Sequence, residues 1–300
     1  MDLLWITDPH LNFLPAKGAA RSFGRYLTSE RKFDAVVLTG DIGEGDNVAG
    51  HLKQFAEGVG CQVYFTLGNH DYYKSSFEEV REEILETAAG SLSWLDRSGI
   101  FLLGDKTALT GHEGWFDARI GKPKKSHVVL NDFELISDLS AFYNRFEWQE
   151  RGGRGRLAFL DKVRALGVEA AESAKPKLLE ALKLRETVIF ATHFPPFKEA
   201  CWHEGAISDS RWLPWFTCEA MGQMLLAAAA KHPENRILVL CGHTHSYGEC
   251  QPAPNLRVLT GKAVYGAPDI SGVISTPLAT LDFTSETAGD RWSGFFQRQP

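Results

Sequence analysis

Short apolar runs rich in β-branched residues recur along the chain, and each is followed by a polar or glycine-containing turn. These runs cover residues 3–7, 35–39, 62–66, 100–103, 187–192 and 236–241. Continuously apolar runs of this length are typical of strands that are covered on both faces. Stretches with helical character lie between them, over residues 16–28, 48–58, 75–89, 156–184 (with an interruption possible at Pro176) and 216–231. The alternation of strands and helices predicts an α/β fold.

Two parts of the chain depart from this alternation. After Asn255, short strand-like runs at 256–260, 263–266 and 279–283 follow one another without helices, and they predict the far edge of a second sheet. The region at about 111–156 is the least regular. Since we find no repeat, linker or low-complexity tract, we expect one domain over residues 1–300 with an irregular excursion at 111–156.

Composition narrows the class of protein. Hydrophobic residues make up 44% of the chain and charged residues 23%, which is typical of a globular protein. The net charge of −6 disfavours broad binding to nucleic acids or to anionic membranes, which requires a basic face. No apolar run has the length of a membrane span, and the N-terminus has no basic leader. Five scattered cysteines, none in a CxxC pair, disfavour a disulfide framework and a cysteine zinc site. We therefore expect a soluble cytoplasmic protein, and its oligomeric state stays open.

Five of the predicted strands run into residues of the types that commonly bind metal ions. These residues are Asp8 and His10, then Asp41, then Asn69, His70 and Asp71, then His193, and finally His243 and His245. Ligands of α/β sheets bind at the carboxyl ends of the strands, so the five clusters are expected to converge on one site. Gly, Asn and Asp also close strands and cap helices, which is the simpler explanation for any single cluster. By chance, however, this composition gives Gly-His-x-His about 0.03 times and Gly-Asn-His-Asp about 0.001 times.

The ordered set of motifs resembles the calcineurin-like metallophosphoesterase superfamily. The motifs are Asp8-x-His10, Gly40-Asp41, Gly68-Asn69-His70-Asp71, His193 and Gly242-His243-x-His245, so the resemblance covers the chain from Asp8 to His245. It implies a four-layer α/β/β/α sandwich with two mixed sheets and a dinuclear metal site at the C-terminal ends of the strands.

The resemblance also implies a role for each residue. One metal is held by Asp8, His10, Asp41 and His245. Asp41 bridges to a second metal, which Asn69, His193 and His243 complete. His70 faces the substrate, and Asp71 orients its ring. Carboxylate, imidazole and amide ligands without thiolate suit Mn²⁺, Fe or Zn²⁺.

These roles describe a metal-dependent hydrolase of small phosphomonoesters or phosphodiesters. A hydroxide bridging the two metals is the expected nucleophile, and His70 is the expected general acid. Two alternatives stay open: a non-catalytic metal-bound scaffold, and a nuclease of the same fold. Retention of every ligand and of His70 argues against the scaffold. A nuclease needs a basic groove, and the cationic clusters are at 122–125 and 151–156.

The motifs of this chain differ from those of two well-known branches of the superfamily, and these differences narrow the choice of branch. Protein Ser/Thr phosphatases follow their Gly-Asp motif with Asp-Arg-Gly, whereas Gly40-Asp41 is followed by Ile42-Gly43-Glu44. Purple acid phosphatases place Tyr where this chain has Glu44. The remaining resemblance is to the compact bacterial-type phosphodiesterases and phosphatases, whose substrates differ widely.

Aromatic and arginine residues outside the motifs are candidates for substrate contacts. Trp115, Phe194 and Trp202 are predicted to form an aromatic wall against a planar leaving group, although packing onto the sandwich explains them more simply. Arg151, Arg154 and Arg156 are candidates for a second phosphate contact or for a solvated loop.

Overall fold

The computed structural model describes residues 1–149, 154–277 and 281–282. Its strands, in chain order, are β1 (Asp2–Ile6), β2 (Ala35–Thr39), β3 (Gln62–Thr66), β4 (Leu92–Trp94), β5 (Phe101–Leu102), β6 (Thr107–Gly111), β7 (Thr187–Ala191), β8 (Trp202–His203), β9 (Ala206–Ile207), β10 (Arg236–Cys241), β11 (Gly248–Ala253), β12 (Leu256–Thr260), β13 (Gly272–Ser275) and β14 (Leu281–Asp282). Its helices are α1 (Ala19–Glu30), α2 (Val48–Val59), α3 (Phe77–Thr87), α4 (Asp132–Leu135), α5 (Ser137–Ser140), α6 (Arg145–Gln149), α7 (Arg154–Leu184), α8 (Leu213–Phe216) and α9 (Glu219–Lys231).

The strands form two six-stranded mixed sheets and one small hairpin. The first sheet has the order β14-β13-β1-β2-β3-β4, and the second has the order β11-β12-β10-β7-β6-β5. The central strands of each sheet are parallel, whereas β13, β14, β11 and β5 pair antiparallel at the edges. Parallel pairing brings the carboxyl ends of the central strands to one edge of each sheet.

The alternation of apolar side chains between the two faces of each strand explains why the two sheets stack. Leu3 and Trp5 of β1 belong to an apolar cluster between the sheets, which also contains Ile189 of β7 and Leu240 of β10. Leu4 and Ile6 instead join the larger cluster beneath the helices. Because successive side chains of a strand point to opposite faces, each sheet is covered on both sides. The four-layer α/β/β/α architecture with two mixed sheets is therefore confirmed.

The C-terminal strands divide between the two sheets. Segment 256–260 forms β12 in the second sheet as expected, but β13 pairs antiparallel with β1 in the first, with Leu3 opposite Ile274. The expectation of one continuous edge of the second sheet is therefore wrong. The predicted strand at 263–266 is a loop, in which the N–H of Ala267 donates to the carbonyl oxygen of Val264. Of the predicted strand at 279–283, the structure describes only β14.

The excursion packs on the sandwich through an aromatic cluster. The rings of Phe133, Phe159 and Trp215 are fully buried and in mutual contact. Beside them lies the buried guanidinium of Arg156, which donates to the carbonyl oxygens of Trp148, Pro123 and Ser126. Arg156 is thus neither a solvated residue nor a phosphate ligand, because its side chain is buried and both Nη1 and Nη2 donate to backbone carbonyls. Arg154 is exposed, and Arg151 lies outside the described residues.

Helix α7 runs unbroken through Pro176 and packs on β6 and β7. Among the described residues, no helix combines the length and the apolar character needed to cross a membrane.

Candidate metal centre

The predicted ligands come together where the carboxyl edges of the two sheets meet. Each follows directly from a central strand: Asp8 and His10 after β1, Asp41 after β2, Asn69 after β3, His193 after β7, and His243 and His245 after β10. Since β1, β2 and β3 are neighbours in one sheet, and β7 and β10 in the other, five separate chain segments supply one site.

The first group of side chains able to hold a cation is Asp8, His10, Asp41 and His245, whose ligand atoms all lie within 4.8 Å of one another. The Nε2 atoms of His10 and His245 are 3.1 Å apart. Nε2 of His245 is 3.4 Å from Oδ1 of Asp8, and Nε2 of His10 is 3.8 Å from Oδ2 of Asp41. Imidazole nitrogens bind divalent metals at about 2.0–2.1 Å, so both nitrogens can reach one ion. This group fits a divalent metal.

The second group is Asp41, His193 and His243. Nδ1 of His193 lies 2.9 Å from the carbonyl oxygen of Thr39, which can only accept, so Nδ1 carries the proton. Its unprotonated Nε2 then faces two oxygens, Oδ1 of Asn69 at 2.9 Å and Oδ1 of Asp41 at 3.4 Å. Three electron-pair donors pointing at one another indicate a place for a cation. Asp41 belongs to both groups.

Backbone strain is concentrated in this site. Eight non-glycine residues of the described chain have positive φ, and five of them are Asp8, His10, Asp41, His243 and His245. A left-handed conformation costs a non-glycine residue on the order of 1–3 kcal/mol, so the surrounding fold must stabilise these turns.

The glycines of the motifs allow the carboxylates to approach the neighbouring loops. A Cβ on Gly68 would collide with Oδ1 of Asp41, and a Cβ on Gly242 would collide with Oδ2 of Asp8. The physical reason for glycine at these two positions is therefore space for the ligands.

Burial sets the electrostatics of the site. Burial alone would raise the pKa of Asp8, but the hydrogen bond with His245 and the fields of the surrounding histidines hold this pKa well below its ordinary value. Burial and the neighbouring charge of Asp8 raise the pKa of Asp41. Burial also lowers the pKa values of His10 and His243, which keeps both rings in the neutral form that binds metals.

His70 lies beside both groups without belonging to either. Its ring stacks on Tyr73 with centroids 4.3 Å apart, its Nε2 is 4.0 Å from Oδ2 of Asp41, and its Nδ1 is buried without a hydrogen-bond partner. Burial and the nearby charges of His245 and His193 lower its pKa to about 3.

Asp71 holds the loops rather than the ring of His70. Its Oδ1 accepts the backbone N–H groups of Ile42 and Gly43, and its Oδ2 accepts that of Gly68, all at 2.8 Å. The expectation that Asp71 orients the ring of His70 is therefore corrected. Burial raises the pKa of Asp71 to about 7, although the three backbone donors oppose this rise. Its carboxylate ties the loop after β2 to the loop after β3.

Two of the three predicted substrate contacts are buried in the core. Trp115 packs against Phe77, Phe116 and Phe194. Phe194 is fully buried with its ring against the ring of His243. Neither can stack on a ligand, because other side chains cover their faces.

Trp202, the third predicted substrate contact, is half-buried, and its indole N–H donates to the carbonyl oxygen of Glu199.

Two aromatic residues that belong to none of the sequence motifs also lie at the site. The ring centroid of Tyr265 is 4.4 Å from that of His10 and 4.9 Å from that of His245, and Phe13 packs beside it at 5.0 Å. Phe13 follows the Asp8-x-His10 motif closely, so its position was a usable signal. Tyr265 lies on the loop between β12 and β13, and nothing local in the sequence connects it with the ligands.

Comparisons with solved structures show the same fold in other proteins. The chain superimposes on phosphopantetheinyl hydrolase from Mycobacterium tuberculosis with a TM-score of 0.60 and 14% identity, over 88% of this chain and 89% of that one. It superimposes on a dimetal phosphatase from Danio rerio with a TM-score of 0.55 and 15% identity, over 91% of each chain. A comparison with curated protein sequences finds no significant match.

The sequence model of the calcineurin-like phosphoesterase family matches residues 1–247. The matched segment contains both ligand groups and His70. Members of this family hydrolyse phosphoester bonds with a dinuclear centre of divalent metals. The chain therefore belongs to the calcineurin-like phosphoesterases.

Proposed function

We propose that this protein hydrolyses small phosphoesters with two divalent ions held by seven side chains. One ion is held by Asp8, His10, Asp41 and His245, and the other by Asp41, Asn69, His193 and His243. One observation carries the proposal: the two carboxylate oxygens of Asp41 face different histidines, Oδ2 facing His10 and Oδ1 facing His193. A carboxylate placed in this way is suited to bridging two cations.

Bound divalent ions supply the Lewis-acid charge that acidifies a water molecule and offsets the charge of a phosphoryl group. The protein residues position that charge. Asp71 fixes the loops that carry Asp41 and Asn69, and Thr39 fixes the tautomer of His193. Because hydrogen bonds to a metal ligand, or to the loop that carries it, orient that ligand, both are positioning residues.

His70 is placed to protonate the leaving oxygen, provided that the negative charge of a bound phosphoryl group raises the pKa of the ring, which burial lowers. Its Nε2 is on the side of the ring that faces Asp41, and the ring is held by stacking on Tyr73 rather than by a hydrogen bond. We assign the transferred proton to Nε2. General acid catalysis by a positioned group contributes about 10²–10⁴-fold to a rate.

A nuclease of the same fold is a second candidate because of one surface feature. The lining of a cavity of about 710 Å³ includes five basic residues and one acidic residue, namely Arg119, Lys122, Lys124, Lys125, Arg164 and Glu219. The basic residues supply the positive charge that a nucleic-acid backbone requires.

The test is a substrate panel assayed on protein from which metals have been removed by chelation. Aryl and alkyl phosphomonoesters, bis-aryl phosphodiesters, cyclic nucleotides and a single-stranded oligonucleotide are each assayed with Mn²⁺, Fe²⁺, Zn²⁺ and Mg²⁺. We expect turnover of a small ester only after metal is restored. Metal binding without turnover of any substrate would favour the scaffold, and selective cleavage of the oligonucleotide would favour the nuclease.

A further inference from the structure

Phe13 and Tyr265 form an aromatic pair beside the metal centre, and the pair is half exposed. Their ring centroids are 5.0 Å apart with 60° between the planes, and 47% of Phe13 and 49% of Tyr265 is exposed. In contrast, Phe194, on the other side of the centre, is fully buried. The Phe13–Tyr265 pair therefore offers free aromatic surface where Phe194 offers none.

The pair lies on the side of the site where His70 is found. The ring centroid of Tyr265 is 6.1 Å from that of His70, and it also contacts His10 and His245 of the first ligand group. The contacts of His193 and His243 are made instead with Phe194 and Phe216. A group attached to an oxygen protonated by His70 would thus extend next to Tyr265.

The backbone segments that carry the two rings are joined to the ligand loops by hydrogen bonds. The N–H of Phe13 donates to the carbonyl oxygen of His10 at 2.9 Å. In the loop that carries Tyr265, the N–H of Ala263 donates to the carbonyl oxygen of His245 at 3.3 Å, and the N–H of Gly261 donates to that of Cys241 at 2.9 Å. Each ring is therefore positioned by the same segments that position the metal ligands, which lowers the entropy lost when a ligand binds.

We propose that the Phe13–Tyr265 pair binds the leaving group of the substrate and selects a planar, unsaturated ring close to the ester oxygen. The inference rests on the proposed function, since only that function places a leaving group beside His70. Aromatic faces bind planar rings by offset stacking or edge contacts, whereas a saturated ring of the same size offers only apolar area. Phe13 and Tyr265 are specificity-determining residues in this proposal.

The test compares benzyl phosphate with cyclohexylmethyl phosphate. Both are esters of primary alcohols with similar leaving groups, and they differ in the planarity of the ring. The metal-loaded protein is compared with its Tyr265→Leu, Phe13→Leu and Tyr265→Phe variants. Phe142→Leu is the matched control, because Phe142 is 41% exposed and lies on the excursion, where it contacts Lys162.

We expect the wild-type protein to prefer the benzyl ester in kcat/KM. Each leucine variant should reduce this preference by roughly 2- to 12-fold, which corresponds to the stacking contribution of an aromatic pair. Tyr265→Phe and Phe142→Leu should keep the wild-type preference. The metal content of every variant, measured by elemental analysis, should equal that of the wild-type protein.

Several results would overturn the inference. A wild-type preference near one would do so, and so would an unchanged preference in both leucine variants that retain their metals. Loss of metal from both leucine variants would show that the rings only cover the centre. Turnover of neither ester nor any other phosphoester by the wild-type protein would overturn the proposed function itself, and the inference with it.

Discussion

Nδ1 of His193 donates a hydrogen bond to the carbonyl oxygen of Thr39 at 2.9 Å, and this bond joins the two sheets at their carboxyl edges. Thr39 is the last residue of β2 in the first sheet, and His193 follows β7 in the second. Because the carbonyl accepts the Nδ1 proton, Nε2 is left free to face Asp41 and Asn69. One contact therefore links the two sheets at the site and fixes the tautomer of a ligand.

Replacing Asp41 with Asn should remove both metals. A neutral amide cannot offset two cations, and Asp41 belongs to both ligand groups. Elemental analysis should show a metal content near zero, with activity lost in parallel. Asp161→Asn is the control, since the Asp161 side chain is 76% exposed. Retention of both metals at wild-type stoichiometry would show that Asp41 is not the bridge.

The two metal sites should differ in affinity. The group containing Asp8 has two carboxylates, whereas the group containing His193 and His243 has only the shared Asp41. Calorimetric titration of a divalent metal into protein freed of metal by chelation should therefore resolve a tight and a weak binding step. His193→Ala should abolish the weak step and His245→Ala should disturb the tight one. Equal affinities would contradict this order.

Replacing His70 with Ala should slow alkyl esters far more than aryl esters. A phenolate leaves without a proton, whereas an alkoxide needs one, so the alkyl ester should lose roughly 10²–10⁴-fold in rate. Both metals should stay bound, because His70 is in neither ligand group. The measurement is the ratio of alkyl to aryl rates together with metal content. An equal loss for both esters would exclude His70 as the general acid.

Adding one methyl group at Gly242 should damage the metal centre. The new Cβ would collide with Oδ2 of Asp8 and Oγ1 of Thr7, so Gly242→Ala should lower metal affinity and activity. Gly50→Ala is the matched control, because Gly50 lies in α2 with open space around it. The control should gain roughly 0.5–1 kcal/mol of unfolding free energy and keep its metals. Wild-type metal affinity in Gly242→Ala would show that the loop can move aside.

Acid should destabilise the fold partly through His112, which lies outside the metal centre. Burial lowers the pKa of His112 to about 4, from an ordinary value of 6.5. As the pH falls, the unfolded chain therefore takes up a proton on this ring before the folded protein does. The free energy of unfolding is insensitive to His112 above pH 6.5 and decreases as the pH falls from 6.5 towards 4. The full effect is roughly 3 kcal/mol, at about 1.36 kcal/mol per pKa unit.

Denaturant-induced unfolding of protein freed of metal by chelation, carried out between pH 4 and 7, measures this loss of stability. His112→Gln keeps an acceptor for the N–H of Gly114 and has no titrating group, so its stability should fall less steeply with acid. A variant with the same pH dependence as the wild-type protein would show that His112 does not contribute.

Much of the fold and most of the candidate site could be predicted from the sequence. The strands at 35–39, 62–66 and 236–241 were predicted with the bounds that the structure shows. Such runs are set by local burial patterns, and the metal-binding residues follow them directly in the chain. The convergence of Asp8, Asp41 and Asn69 then follows from neighbouring parallel strands of one sheet whose carboxyl ends share an edge.

Other features were decided only by tertiary structure. The pairing of β13 with β1, the burial of Trp115 and the position of Tyr265 over His10 all depend on residues distant in the chain. The carboxylate of Asp71 likewise accepts N–H groups from another loop rather than orienting its sequence neighbour. Sequence pattern determines which faces of an element are apolar. Packing decides which distant surfaces cover those faces. The hydrophobic effect is non-directional and depends on the apolar area buried, so the sequence near an element does not specify its partner.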